Sequence, residues 1–389
     1  MKLALLKGNR FNPWHLQPYR HLGEDVHVAM FRADSEIQQH FAQRDDGPLT
    51  FDTHPIHFDT QAGPPLQRIV NRFRERVGGR EPRILPFADQ LADFDLVQSW
   101  ELFTDWSAEA VKAKKRYRMP LAVMVWDNVP FNMERDPHRR ATKQQVAAAA
   151  DRFIVHTDRS RRILDIEGIE EERIIQLNPG IDLERFVPGP PAREALGLPH
   201  DDFLILFVGW LLPRKGIDFL ILALRELVRD KNLHGRPIRL VMVGSGPGRD
   251  RVDRLIERLG VRDACTFLGA MPYGRMPEVY RTADAFVLPS IAMPEWQEQF
   301  GMALIEAMAC GVPVVASLTG AIPEIAGDAA ILTQANDFPA LYEALKALIL
   351  DDKRRADLAA AGRARAEQRY SVAQCAQALS TLYLSLIHI

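Results

Sequence analysis

The chain has 389 residues, 47% of them hydrophobic and 26% charged, which is long enough for two domains with a core each and excludes an intrinsically disordered protein. A formal net charge of -2 gives no footing for a nucleic-acid partner. Cys265, Cys310 and Cys375 lie far apart, form no Cys-x-x-Cys pair and fall in segments that read as core, which fits buried thiols in a reducing compartment. The opening MKLALLKGNR is too short an apolar run for a signal peptide, and no stretch approaches the ~18 apolar residues of a membrane span. A cytoplasmic protein is therefore expected.

Residues 2–6 form an apolar run suited to a first buried strand, and a loop over 8–15 follows, with Gly8 as its one glycine and bulkier Asn9, Arg10, Asn12 and Trp14 around it. Residues 26–31 read as a second strand. From 45 to 63 the chain is polar and turn-rich and reads as an irregular surface loop. His54 and His57 there are flanked by Asp52 and Asp59, but a His-x-x-His pair without a helical frame is too little to assign a metal. Over 66–80, Leu66, Ile69, Val70, Phe73 and Val77 keep helical spacing, with Arg68, Arg72, Arg74 and Arg76 around the rest. Such a helix either rests on anionic lipid or presents a solvated face, and the basic run 112–118 has the same two readings. Residues 121–126 form a strand ending in WDNVPF, and strand ends are where α/β folds place ligands. Asp127 sits there, either facing a ligand or capping the turn that follows. A strand over 153–156, a helix through Leu164, a further strand at 174–177 and the segment NPGID lead to a proline-rich run, 188–191, that reads as a linker.

In the second half, residues 203–208 form a buried strand ending at Gly209, and the next helix carries Ile217, Leu220, Leu224 and Leu227 on one face. Arg214 and Lys215 fall between strand end and helix start, where cations can reach a bound diphosphate. The strand over 238–243 runs into Gly244, Gly246 and Gly248. Their spacing is not Gly-x-Gly-x-x-Gly, and they do not open the domain, so a dinucleotide-dependent dehydrogenase is not favoured. The stretch 298–317, EQFGMALIEAMACGVPVVAS, outlines a loop, a short helix stopping at Gly311 and a buried strand. Glu298 and Glu306 stand in a Glu-(x)7-Glu spacing beside the N–H groups of 300–303. Two carboxylates suit sugar or ribose hydroxyls and a helix N-terminus suits a phosphate; the other reading is a pair of ordinary surface acids.

The stretch 298–317 resembles the donor-site signature of the retaining glycosyltransferases of family 4. The resemblance implies an α/β fold of two facing Rossmann-like domains (the GT-B type), with the active site in the interdomain cleft and a C-terminal helix returning to the first domain. It places an acceptor-side domain at 1–187, a linker at 188–200, a nucleotide-sugar-binding domain at 201–369 and the crossover helix at 370–383. The last six residues, 384–389 (LSLIHI), resemble the translation of a transposon-end sequencing adapter and are expected to be a non-native tail.

Carried over residue by residue, the resemblance implies donor binding by Gly209, Arg214, Lys215, Gly244, Leu268, Phe300, Gly301, Met302 and Glu306. Glu298 would contact the sugar hydroxyls near the reacting centre, and Glu306 the ribose. Arg214, Lys215 and the N–H groups near Phe300 and Gly301 would stabilise the departing diphosphate. Adjacent Arg214-Lys215 matches one branch of the family, while Trp210 stands where most members carry an arginine. Trp126 stands where a histidine is usual, leaving Asp127 as the acceptor-side and catalytic candidate, and the single Gly8 suggests that Arg10 and Asn12 help form the acceptor side. The extra residues 291–297 lengthen the loop before Glu298 and could reshape the sugar pocket.

The implied reaction is transfer of a hexose-type sugar from a nucleoside diphosphate sugar to a hydroxyl of a glycan, lipid-linked or small-molecule acceptor, with retention. No cofactor and no metal are expected, because the cations do a metal's work. The implied setting is cytoplasmic, with peripheral contact with the inner membrane surface if the basic helix meets lipid. Two other classes stay open: a sugar-nucleotide epimerase or phosphorylase on the same fold, and a non-catalytic nucleotide- or sugar-binding partner of a transferase, which Trp210 and the missing histidine keep in play. The base, the sugar and the acceptor are not specified by these residues.

Overall fold

A computed structural model describes residues 1–8, 13–33, 51–58 and 83–388. Arg10, Asn12, Asp59, the side chain of Trp14 and the basic helix expected over 66–80 lie outside the described residues. The chain forms two compact units, Met1–Leu177 with Ala373–Ile389, and Asn178–Val372.

The first unit is built on β1 (Lys2–Gly8), β2 (His27–Ala33), β3 (Asp52–Ile56), β4 (Leu96–Trp100), β5 (Leu121–Val125), β6 (Arg152–Val155) and β7 (Ile174–Gln176), in the order β3-β2-β1-β4-β5-β6-β7. Among the described residues every strand pairing in this sheet is parallel. Parallel strands are covered on both faces and therefore read as unbroken apolar runs, as Leu121–Val125 does with all five residues buried. Alternate residues divide between two cores. Leu6, Phe31, Val97, Val123 and Val155 face one side, and Leu5, Met30, Leu96, Met124 and Ile154 face the other.

That second face is covered by the last helix, Val372–Ile387, through Cys375, Leu379, Leu382, Tyr383 and Leu386, a stripe at helical spacing. The helix does return to the first unit. It also runs through most of the expected tail, because Leu386 continues the stripe and is buried. A polar chain pins it: the Tyr383 hydroxyl donates to Gln98 Oε1, and Gln98 Nε2 donates to the Tyr19 hydroxyl at 2.6 Å.

Part of the expected surface loop is instead a strand. β3 pairs with β2 with His54 opposite Phe31, and the two rings stack at 4.6 Å, so His54 packs on the sheet. Pro55 is tolerated because β3 is the edge strand. Among the described residues no group of three His, Cys, Asp or Glu could hold a metal ion.

The second unit contains β8 (Phe203–Val208), β9 (Ile238–Val243), β10 (Cys265–Gly269), β11 (Ala285–Leu288), β12 (Val314–Ser317) and β13 (Ile331–Thr333), parallel and ordered β10-β9-β8-β11-β12-β13. Cys265 opens β10 and is only half-buried, whereas Cys310 and Cys375 are buried as expected. Residues 178–200, read from the sequence as a domain end and a linker, are held to this unit. Arg281 Nε donates to Val187 O at 2.8 Å, and Arg193 bonds Thr282 O at 3.1 Å and Asp284 Oδ2 at 2.8 Å. These two guanidiniums anchor a run that proline content alone would leave loose.

Among the described residues, no helix is long and apolar enough to cross a membrane. In each sheet the strand order reverses once, between β1 and β4 and between β8 and β11. Loops leaving the carboxyl ends of such a pair diverge to opposite faces and open a crevice, and this is what positions the sites below.

Tyr383→Phe should cost about 1–3 kcal/mol, because Gln98 Oε1 loses a buried donor. Ser385→Ala, on the exposed side of the same helix, should stay within about 0.5 kcal/mol of the parent in urea unfolding.

Candidate functional site

At the β8/β11 reversal, backbone contacts too close for side chains bring several loops together. Gly209 N–H donates to Val243 O and Leu211 N–H to Ser245 O, so the loops after β8 and β9 lie against each other. A Cβ on Gly244 would fall 2.0 Å from Gly209 O, and one on Gly248 2.3 Å from Leu211 O. These glycines thus serve loop packing, which accounts for a glycine run without dinucleotide spacing. Pro213–Lys215 forms a single turn ending at Gly216, whose φ is +67° and whose Cβ would lie 1.8 Å from Pro289 O. Ile291 N–H donates to Arg214 O at 2.9 Å, closing the turn on the segment after β11.

This places Lys215 Nζ 2.7 Å from Glu298 Oε2, with side chains 17% and 8% exposed. Ser290 Oγ donates to the same oxygen at 2.7 Å. Glu298 is clamped through its backbone as well, since its carbonyl accepts from Ala321 N–H at 2.9 Å. Two of the residues singled out for catalysis, 83 positions apart, are thereby in contact. Arg214 lies with its guanidinium 4.1 Å from the Trp296 ring centroid, and Lys215 Nζ is 5.2 Å from it. Trp296, which sequence reasoning did not single out, belongs to the extra loop, where Met293 and Trp296 form an antiparallel bridge. Trp210 is half exposed.

The helix Met302–Ala309 starts from Gly301 at φ +90° without a side-chain cap, so its first-turn N–H groups suit an anion. Phe300 is buried with its ring edge on Tyr370, while Met302 and Leu268 are half-buried. Glu306 is buried in this helix. Its Oε1 accepts from the Tyr273 hydroxyl at 3.0 Å and its Oε2 from the Tyr280 hydroxyl at 2.7 Å. Burial raises its carboxyl pKa, against the two tyrosines and the Arg185 charge. Each carboxylate oxygen has two lone pairs, so one on each remains for a ligand hydroxyl. The two glutamates thus have separate supports, a cation for Glu298 and two phenols for Glu306. Tyr273 and Tyr280 were not anticipated.

At the β1/β4 reversal the first unit collects a different set. Asp127 Oδ1 accepts from Val129 N–H at 3.2 Å and Asn132 Nδ2 at 3.1 Å, so it shapes the 127–132 turn, the second of the two roles read for it. Burial raises its carboxyl pKa. Beside it lies a group that sequence reasoning missed. Glu101 follows β4 with φ +61°, and its Oε1 accepts from Trp126 N–H at 3.0 Å. Burial, with the Asp127 charge adding to it, pushes the Glu101 carboxyl up to about 8. Burial also lowers the Lys7 ammonium to about 7, although the Glu101 charge opposes this. Lys7 Nζ lies 4.2 Å from the Trp100 ring centroid and 3.5 Å from His15 Nδ1. His15 stacks on Trp126 at 4.9 Å, and Trp126 meets His156 at 4.3 Å. His156 bonds Leu177 O and is held down to about 4 by burial, while burial holds His15 well below its ordinary value. The available signal was a charged residue closing an otherwise apolar strand run, at Lys7 and again at Glu101.

The model of the family described as "Glycosyl transferases group 1" matches residues 190–365, and that of "Glycosyltransferase Family 4" matches 19–185. A D-inositol 3-phosphate glycosyltransferase of Gordonia bronchialis is 35% identical over 236 residues, covering 58% of this chain and 50% of that protein. One of Actinosynnema mirum is 39% identical over 189 residues, covering 46% and 44%. The chain thus spans about half the length of the curated relatives it matches. Among solved structures, Anabaena Alr3699/HepE in complex with UDP superposes with a TM-score of 0.77 at 21% identity, covering 99% of this chain and 100% of that one. Sucrose-phosphate synthase from Thermosynechococcus elongatus gives 0.73 at 20% identity, covering 100% and 99%. At these identities the structural matches speak for the fold alone.

Two measurements check the local chemistry. Lys215→Met leaves Glu298 buried without its cation and should cost about 3 kcal/mol in urea unfolding, with much of the loss restored in Lys215→Met/Glu298→Gln. At Glu101, a folded-state pKa raised from 4.5 to about 8 means that the folded chain holds this proton more tightly than the unfolded one. Its contribution is complete below about 4.5 and is lost as pH rises toward about 8. Glu101→Gln should therefore gain stability relative to the parent as pH rises through that window, read as the difference between their thermal midpoints at pH 5 and pH 8.

Proposed function

Because the chain belongs to the family 4 glycosyltransferases, with two Rossmann-like domains of the GT-B type, we propose that it moves a hexose-type sugar from a nucleoside diphosphate sugar to an acceptor hydroxyl with retention at the anomeric carbon. The observation that carries this reading is the Lys215–Glu298 contact at the β8/β11 reversal, which sets a cation and a hydroxyl-accepting carboxylate side by side near an uncapped helix start. A nucleoside diphosphate sugar presents phosphate charge next to sugar hydroxyls, and these groups complement it. Anabaena HepE was solved with UDP and with UDP-glucose, which supports this donor class.

Breaking the anomeric C–O bond leaves positive charge on the sugar and negative charge on the departing diphosphate. Lys215, Arg214 and the N–H groups of Gly301 and Met302 would meet the negative charge as it grows. The ammonium and guanidinium would supply the electrostatic stabilisation that a metal gives in other transferases. Glu298 would accept hydrogen bonds from the sugar hydroxyls, and Glu306, steadied by Tyr273 and Tyr280, from the ribose. The acceptor is a hydroxyl of a glycan, a lipid-linked sugar or a small polyol. The curated relatives are named for an inositol phosphate, which brings the last into range.

Calorimetry with UDP, GDP and ADP, followed by NMR of the product's anomeric proton with the matching sugar nucleotide, tests the reading. One nucleotide should bind at micromolar concentration. Lys215→Ala should lower the transfer rate by about 100-fold or more, the size expected for loss of one preorganised charge. Binding of none of the three, or an inverted anomeric centre, would overturn it.

A further inference from the structure

The buried cluster of the first unit contains an atom that the fold leaves unanswered. Glu101 Oε2 is closed off from solvent and has no hydrogen-bond partner, while its sister oxygen is taken by Trp126 N–H. The backbone N–H groups of Trp126 and Asp127 face this carboxyl, and capping them does not require a charge, since a neutral side-chain oxygen would do it without the cost of sequestering one. The residue also sits at φ +61°, a left-handed conformation that a non-glycine residue adopts at a cost of about 1 kcal/mol or more. Trp100, which ends β4 immediately before it, supplies a second such atom, an indole N–H that is buried and unpartnered. Both lie at the β1/β4 reversal, where a parallel sheet opens its ligand crevice.

We propose that Glu101 is a binding residue for an uncharged polyhydroxylated ligand, one of whose hydroxyls donates to Oε2. An anion is disfavoured by two carboxyl groups in one cluster, Glu101 and Asp127. A metal cation lacks a ligand set among the described residues and would face the Lys7 ammonium. A hydroxyl meets neither obstacle, because it donates to the carboxyl and accepts from a donor such as Lys7 Nζ or an indole N–H. Identifying this ligand with the sugar acceptor rests on the transferase reading; the binding itself does not.

The test uses the full chain with two probes. Saturation-transfer NMR with millimolar myo-inositol and glucose reports on Glu101, and calorimetry with UDP reports on the second unit. The parent should bind at least one of the two polyols. At pH 9, where the Glu101 carboxyl is ionised, Glu101→Gln, which puts an amide donor where Oε2 accepts, should weaken that binding at least fivefold, and Glu101→Leu at least tenfold, with UDP affinity unchanged within twofold. If Glu101→Leu fails to fold, the isosteric Gln variant decides. No polyol binding by the parent, or equal binding by the parent and Glu101→Gln, overturns the assignment. Polyol binding that depends on Glu101 in a chain that binds no nucleotide would instead overturn the nucleotide-sugar reading and leave Glu101 standing.

Discussion

The second unit is arranged around one buried ion pair. Lys215 and Glu298 meet at 2.7 Å with little solvent around either, and a charge so placed is tolerated only if its partner is held there. Three backbone approaches hold it. Gly216 lies against Pro289 O, Gly244 against Gly209 O and Gly320 against Glu298 O, each at a distance where a Cβ would collide. Glycine is required at these points because the pair must be assembled from segments far apart in the chain. The Ser290 hydroxyl on Glu298 Oε2 takes up a further lone pair of the same oxygen, so the carboxylate is oriented as well as neutralised.

The first unit handles burial in the opposite way. Where the second unit pairs its charges, the cluster at the β1/β4 reversal suppresses them. The Glu101 carboxyl is pushed up to about 8, the Lys7 ammonium down to about 7 and the His156 imidazole down to about 4. At neutral pH the imidazole is therefore a neutral aromatic, packed against Trp126. A preorganised cation suits a ligand that carries fixed charge, and a charge-poor cluster suits one that carries only hydroxyls. The same parallel-sheet rule thus positions two chemically distinct clusters, one in each unit.

Much of this architecture was legible in the sequence because parallel strands announce themselves as unbroken apolar runs and helices by their stripes. Residues 121–125 and 203–208 fall into place on that basis alone, as does the final helix from Cys375 to Leu382. The strand β3 was hidden because its residues, DTHPI, carry a proline and polar groups that only an edge strand accommodates. At the β8/β11 reversal, Arg214, Lys215, Glu298 and Glu306 were singled out by position after a strand end, by the Glu-(x)7-Glu spacing and by the family resemblance together. Their supports, Tyr273, Tyr280, Ser290 and Trp296, are ordinary residues made relevant only by long-range packing. Local pattern carries no information about a partner 26 or 33 positions away.

Trp126 sets the character of the cluster in the first unit. A histidine here would place an imidazole at the end of β5; the indole instead stacks with His15 and meets His156, so two imidazoles lie beside the position without occupying it. Both are held neutral by burial, and neither is poised to exchange a proton near pH 7. The groups with raised pKa values at the same strand ends are carboxyls, Asp127 and Glu101. Asp127 commits Oδ1 to the turn that follows, through Val129 and Asn132. Glu101 commits Oε1 to the Trp126 backbone and leaves Oε2 unpartnered. A buried carboxyl oxygen without a partner is a standing cost to the fold, one that a bound hydroxyl, which both donates and accepts, would remove. The carboxyl that could carry polar work at this strand end is therefore Glu101, held in place by the Trp126 backbone.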